Sequence, residues 1–224
     1  DILVSNEFLL ACHLCKIKTV SAQERAISSI WDSNLIFDQY FIAWEKFKEK
    51  FESKGYFTEN YHIIGLPRSS YLKNPKKLFN YQKYLDIKKD RTLVVCFDLP
   101  PVIDGFNLGL VSSDHPAAVK TIRDFYFAIL ELAKDFPELY FVVKPKSLEI
   151  IDSLIYKELE KIIEERENFE VIHNLKSINP YVMAYLADFI IGKHTSILEE
   201  AFSVGKPVIY YDSEKYLKSS GYIL

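Results

Sequence analysis

A chain of 224 residues, 49% hydrophobic and 26% charged, can bury a full core and suits one large or two small domains. Its net charge of −3 gives no basis for general nucleic-acid binding. No run of 18 apolar residues is present to cross a membrane, and no secretory signal is visible. Seven glycines leave no P-loop or G-x-G-x-x-G loop, so any nucleotide must be held another way.

Residues 1–66 alternate between strand and helix patterns. The chain begins at Asp1 within what reads as a strand and ends soon after a strand, so it reads as part of a longer protein or as an engineered piece. Residues 6–15 carry helical periodicity behind a Ser5 or Asn6 cap. Cys12 and Cys15 lie in that pattern with His13 between them. No second pair completes a zinc site, so both are expected as core thiols in a reducing compartment. Residues 19–22 read as a strand leading into Gln23, Glu24 and Arg25. That polar triplet suits the ligand-handling carboxyl edge of a sheet, or equally a solvated loop. Residues 37–43 and 61–64 are further strands. Residues 44–53 form an amphipathic helix with Trp44, Phe47 and Phe51 on one stripe.

Residues 67–91 are Lys- and Tyr-rich and mark a boundary, with a surface helix expected over 75–85. Lys73, Lys76, Lys77, Lys83, Lys88 and Lys89 read as a solvated face, or as a contact for an acidic acceptor or a membrane surface. Alternation then resumes. Strands are expected over 92–99, 139–143, 169–173 and 188–191. Helices are expected from 114 or 115 to 135, within 147–167, and from Pro180 behind an Asn179 cap. Residues 100–114 are expected as a long loop.

The stretch 187–212, ADFIIGKHTSILEEAFSVGKPVIYYD, reads as strand, turn, helix and strand, with Gly205 and Pro207 as the helix stop. Such a unit implies parallel strands, and ligands then bind outside their carboxyl ends. Lys193, His194, Thr195 and Ser196 stand there at a helix N-terminus, which favours a phosphate. Ser196 and Glu199 also fit a capping box that needs no ligand. Four strand ends therefore aim polar groups at one crevice: Asp98, Lys144 with Lys146, His173 with Asn174, and His194 with Thr195 and Ser196. Glu200 is placed to accept from a sugar hydroxyl.

These residues resemble a GT-B glycosyltransferase of the group used in bacterial capsule, teichoic acid and surface-polysaccharide synthesis. The 187–212 stretch is similar to that family's donor-domain pattern. FVVKPK at 141–146 resembles its Lys-Pro-His or Lys-Pro-Lys strand. IKTVSAQER, FDQYFIAWEKFKEKF and YHIIGLPR resemble the end of an acceptor domain leading to a Gly-x-Pro hinge. The resemblance implies an α/β architecture of Rossmann-like parallel sheets flanked by helices. Residues 1–66 would be the C-terminal part of an incomplete N-terminal acceptor domain, and 67–224 the nucleotide-donor domain. It implies donor binding by Lys144, Lys146, His194, Thr195, Ser196 and Glu200, with Gln23, Arg25, Arg68 and His173 as further contacts. Glu24 is the substitute acid/base, because Gln23-Glu24-Arg25 stands where relatives carry Gln-His-Gly. The implied partners are a nucleotide-sugar, CDP-polyol or CMP-sugar donor and a glycan or lipid-linked acceptor. No cofactor or metal is implied, and the expected location is cytoplasmic with peripheral membrane contact. The alternatives are a nucleotide-sugar 2-epimerase of the same fold and a non-catalytic nucleotide-binding fragment.

Overall fold

The apolar periodicities become two parallel sheets in the computed structural model of the protein. It describes residues 5–23, 36–53, 55, 57–73, 81–98, 102–103, 106–107, 116–146, 154–174, 178–193 and 195–211. The chain divides between Ser70 and Tyr71 into two units.

The first unit has strands β1 (Val20–Ala22), β2 (Ile36–Ile42) and β3 (Phe57–Ile63), parallel and in that order. Helix α1 (Asn6–Leu14) starts where the Ser5 hydroxyl accepts from the Phe8 N–H at 3.3 Å. Helix α2 (Glu45–Ser53) buries Phe47 and Phe51 in one core with Tyr40 and Ile42. Cys12 is buried, but Cys15 follows the last helical residue and is exposed, so only one of the pair is a core thiol. β3 starts earlier than expected, because Phe57 and Thr58 pair with Ile36 and Phe37.

The second unit has a five-stranded sheet. Its strands are β4 (Thr92–Phe97), β7 (Leu139–Lys144), β8 (Phe169–Val171), β9 (Phe189–Gly192) and β10 (Val208–Tyr210). The order is β10-β9-β4-β7-β8, and every pair is parallel. Successive side chains point to opposite faces, and helices cover both, so the central strands are apolar almost throughout. On one face Val94, Cys96, Phe141 and Val143 meet helices α4 (Pro116–Asp135) and α5 (Leu154–Glu164). On the other, Leu93, Val95, Phe97 and Val142 meet α3 (Gln82–Asp90), α6 (Pro180–Leu186) and α7 (Ser196–Ser203). Each fully buried Leu, Ile or Phe contributes roughly 1.5–3 kcal/mol of burial. This is the Rossmann-like α/β class that the sequence implied.

Several boundaries differ. The surface helix α3 runs on past the expected end at 85 to Asp90, with Tyr84 buried and Lys88 and Lys89 in its last turn, while residues 74–80, Lys76 and Lys77 among them, lie outside the described residues. The expected loop at 100–114 contains a short antiparallel pair, β5 (Val102–Ile103) with β6 (Phe106–Asn107). Lys83, Lys88 and Lys89 pair with Glu170, Asp188 and Asp86, the behaviour of a solvated face. Asn179 caps α6 as expected, accepting from the Tyr181 N–H at 2.8 Å with Pro180 at the first position. Lys206 closes the other end of α6, donating to the Tyr185 and Ala187 carbonyls at 2.6 and 2.8 Å. Lys206→Met leaves those carbonyls without their donor. A loss of about 1–3 kcal/mol in urea unfolding is expected; an unchanged midpoint would show that water serves them as well.

Candidate functional site

β4, β7 and β8 run to one side of the sheet, and the chain then crosses back to β9 and β10 on the other. The connections leaving β4 and β9 therefore diverge, and a crevice opens outside their carboxyl ends. The cleft found there, about 230 Å³, is lined by Phe97 and Asp98 after β4, and by Lys144, Pro145 and Lys146 after β7. Pro180 and Tyr181 at the start of α6, with Thr195, Ser196 and Ile197 at the start of α7, complete it. It has room for a diphosphate with an adjoining ring, and complete ligand sites usually take roughly 300–1,000 Å³.

Gly192 sets the geometry at the end of β9. A Cβ added there would stand 2.8 Å from the Phe97 carbonyl and 3.0 Å from a Leu198 methyl. Only a bare backbone lets β4, β9 and α7 approach so closely. The turn that follows is tight, with the Thr195 N–H donating to the Lys193 carbonyl at 2.7 Å.

Helix α7 does not begin with the expected capping box. Thr195 is its N-cap, in extended conformation, and its side chain makes no capping hydrogen bond. Ser196 is the first helical residue. Glu199 is then one position too far along to reach back, and it is buried. Its neighbour is Tyr210, whose hydroxyl is held well above its usual range by burial first and by Glu199 second. The N–H groups of Ser196 and Ile197 meet no acceptor among the described residues. The positive end of the helix dipole is thus left open toward the cleft.

Lys144 supplies the cation. Only 8% of the residue is exposed, yet it lines the cleft. Its ammonium has no ion pair or hydrogen bond among the described residues. Burial lowers its pKa from the ordinary lysine range. Lys146 stands beside it at the rim.

Of the residues expected at the site, the structure brings Lys144, Lys146, Thr195 and Ser196 together. It does not bring Glu200, which is 1% exposed and outside the cleft lining. Lys193 is also buried, with its ammonium 5.8 Å from the centre of the Phe125 ring. His173 is exposed at the end of β8, where its Nε2 lies 3.0 Å from the Tyr156 hydroxyl. Gln23 and Arg68 belong to the first unit. The Gln23 carboxamide is buried and accepts from the Ala43 N–H at 3.0 Å, a structural use of that side chain. Glu24, Arg25 and His194 lie outside the described residues. Sequence reasoning missed Tyr181. Its signal was an aromatic residue just after Asn179-Pro180, at a helix start facing the carboxyl edge.

No protein-family model and no curated protein matches the chain. Solved structures do. The UDP-GlcNAc 2-epimerase from Neisseria meningitidis bound to UDP-GlcNAc superposes with a TM-score of 0.61 at 16% identity, over 96% of this chain and 58% of that one. S. aureus MnaA, solved with UDP, gives 0.60 at 15% identity, over 91% and 54%. The fold is of the GT-B type. The chain spans little more than half the length of those two neighbours. The wall teichoic acid polymerase TagF is a weaker likeness, with a TM-score of 0.45 at 20% identity over 82% of this chain and 41% of that one. Among the described residues, no helix of this GT-B fold is long and apolar enough to cross a membrane, and no group of His, Cys, Asp and Glu is arranged to hold a metal.

Proposed function

We propose that the second unit binds the diphosphate of a nucleotide-activated sugar, and that the protein moves the activated group to a hydroxyl acceptor in surface polysaccharide synthesis. One observation carries the reading. A desolvated ammonium without a partner among the described residues, Lys144, shares a cleft with a helix start whose N-cap makes no side-chain bond, at a strand-order reversal. Each of these costs stability in the free protein, and an anion relieves both.

The chemistry follows from that placement. As the bond between sugar and diphosphate breaks, negative charge grows on the departing phosphate. Lys144 and the N–H groups of Ser196 and Ile197 are preorganised to stabilise it, in a cleft drier than bulk water. Deprotonation of the acceptor hydroxyl is assigned to Glu24, and unchanged turnover in Glu24→Gln would remove that assignment. The nucleobase is assigned to Tyr181, whose ring is backed by Tyr71 at 5.4 Å between centroids. Base stacking on an aromatic ring contributes about 1–3 kcal/mol. Tyr181→Ala should therefore weaken nucleotide binding by roughly tenfold or more and leave inorganic pyrophosphate unchanged. Equal losses for both ligands would show that Tyr181 shapes the cleft instead.

A nucleotide-sugar 2-epimerase is the second reading. It is supported by the solved structure with a TM-score of 0.61, which is such an enzyme. The fate of the donor separates the two. A thermal-shift panel of CMP, CDP, UDP, GDP and ADP first identifies the base, since a ligand of the folded state alone raises its stability. The matching nucleotide-sugar is then incubated with and without glycan acceptors. Acceptor-dependent release of the nucleotide supports transfer; a C2 epimer formed without acceptor supports epimerisation. If no nucleotide stabilises the protein, the donor-site reading fails.

A further inference from the structure

Helix α1 is apolar on two sides. Leu9 and Cys12 are buried, Leu9 in one core with Phe37 and Tyr40. At roughly 3.6 residues per turn, Leu10, Ala11 and Leu14 fall on the opposite arc, with Phe8 at its flank. That arc stands in water: Phe8 is 61% exposed, Leu10 49% and Leu14 73%. The exposure continues along the chain at Ile17 and at Val20, the first residue of β1. A helix that is apolar all round is ordinarily covered on all sides. Together the five large side chains expose on the order of 500 Å², as much as the largest apolar patch of a typical monomer.

The end of the helix carries a second observation. Lys16 has φ 57, the one non-glycine residue in the left-handed region among the described residues. It stands just past the C-cap Cys15, where helices commonly place glycine because a Cβ is strained there. The Ile17 N–H closes the turn onto the Cys12 carbonyl at 2.8 Å, so the conformation is fixed. A lysine kept at such a position points to a use for its charge. An acid, Glu7, stands at the opposite end of α1, in the first turn.

We propose that this face is an interface between two copies of the chain, with α1 packed antiparallel to its counterpart across a two-fold axis. Charge and area both fit a second copy. The face is acidic at one end and basic at the other, so antiparallel pairing brings Glu7 of one copy toward Lys16 of the other, twice over, and opposes the two helix dipoles favourably. The same axis sets Leu10 of one copy opposite Leu14 of the other. A standard interface covers about 800 Å² on each partner, so the exposed side chains supply its apolar centre and the charges its rim. The face belongs to the first unit and stands apart from the nucleotide reading of the second.

Sedimentation equilibrium of the 224-residue chain, over a micromolar to submillimolar series, should give an association that closes at two copies. Leu14→Glu changes an exposed residue and should weaken the dimer roughly tenfold or more, with the circular dichroism of the wild type. Glu7→Lys and Lys16→Glu should each weaken it severalfold, and together they should restore it toward the wild type. Lys16→Gly should melt higher as a dilute monomer and still dimerise more weakly, a split that a capping role alone does not produce. A chain that stays monomeric at every concentration would overturn the proposal. So would association that grows past two copies, or that survives Leu14→Glu unchanged. A monomer that instead binds phosphatidylglycerol vesicles, and loses them in Leu14→Glu, would overturn it in favour of a membrane surface. Should Leu14→Glu fail to fold, the charge exchange decides, since failure to restore the dimer would overturn the antiparallel pairing. None of these readouts depends on nucleotide binding.

Discussion

Lys144→Met is expected to raise the stability of the free protein while removing its nucleotide binding. The side chain lies in a largely buried position, and among the described residues no anion is paired with it to offset the desolvation of its charge. Methionine keeps an unbranched apolar stem there and has no charge to desolvate. A gain of about 0.5–1 kcal/mol is expected, or a few degrees in melting temperature. Binding should move the other way. A charge-assisted contact to a phosphate contributes about 2 kcal/mol, roughly thirtyfold in Kd. A lysine kept for packing would give losses in both measurements.

The pH dependence has the same origin. Burial lowers the folded-state pKa of Lys144 below its unfolded value. Between those two values the unfolded chain binds more protons, so this residue makes stability rise with pH there. A bound phosphate favours the charged form and raises the pKa. Affinity is therefore complete below the free-state pKa and falls as pH climbs through the pKa of the complex. Calorimetric titrations across the alkaline range should show that decline in the wild type, with a weaker and flatter profile in Lys144→Met. An equally steep decline in the variant would assign the proton to another group.

Gly192→Ala is the second large effect. The added methyl would stand 2.8 Å from a backbone carbonyl, which cannot rotate away as a side-chain tip can. Either β4 and β9 separate or α7 tilts. Overpacking of this kind costs about 1–3 kcal/mol. The shift also falls on Thr195 and Ser196, so nucleotide affinity should drop beyond what the lost stability explains. A urea midpoint and a Kd both within error of the wild type would show that the three elements have slack.

Much of this was legible in the sequence because it depends on local rules. The central strands of the second unit announce themselves as apolar runs, since both faces are covered. Asn179-Pro180 marks the start of α6 through backbone chemistry alone. The convergence of Asp98, Lys144, Lys146, Thr195 and Ser196 follows from strand ends and one parallel sheet. Other features depend on packing between distant segments. The capping box at Ser196 has the right spacing, but the tight turn from Lys193 starts the helix one residue too early for it. Glu200 has the chemistry of a sugar ligand, yet α7 carries it into the interior. His173 ends a strand like Lys144, but the described cleft does not extend to it. Tyr181 was not singled out in the sequence, and only the place where α6 starts shows that it lines the cleft.

The central claim is that a nucleotide diphosphate sits between Lys144 and the start of α7. An amide chemical-shift map of the isotopically labelled protein, titrated with UDP, tests it most directly. The account predicts the largest shifts at Ser196 and Ile197, with further changes at Lys144 and Lys146, and their loss in Lys144→Met. Shifts centred on other residues, or a map of the same size in the variant, would contradict it.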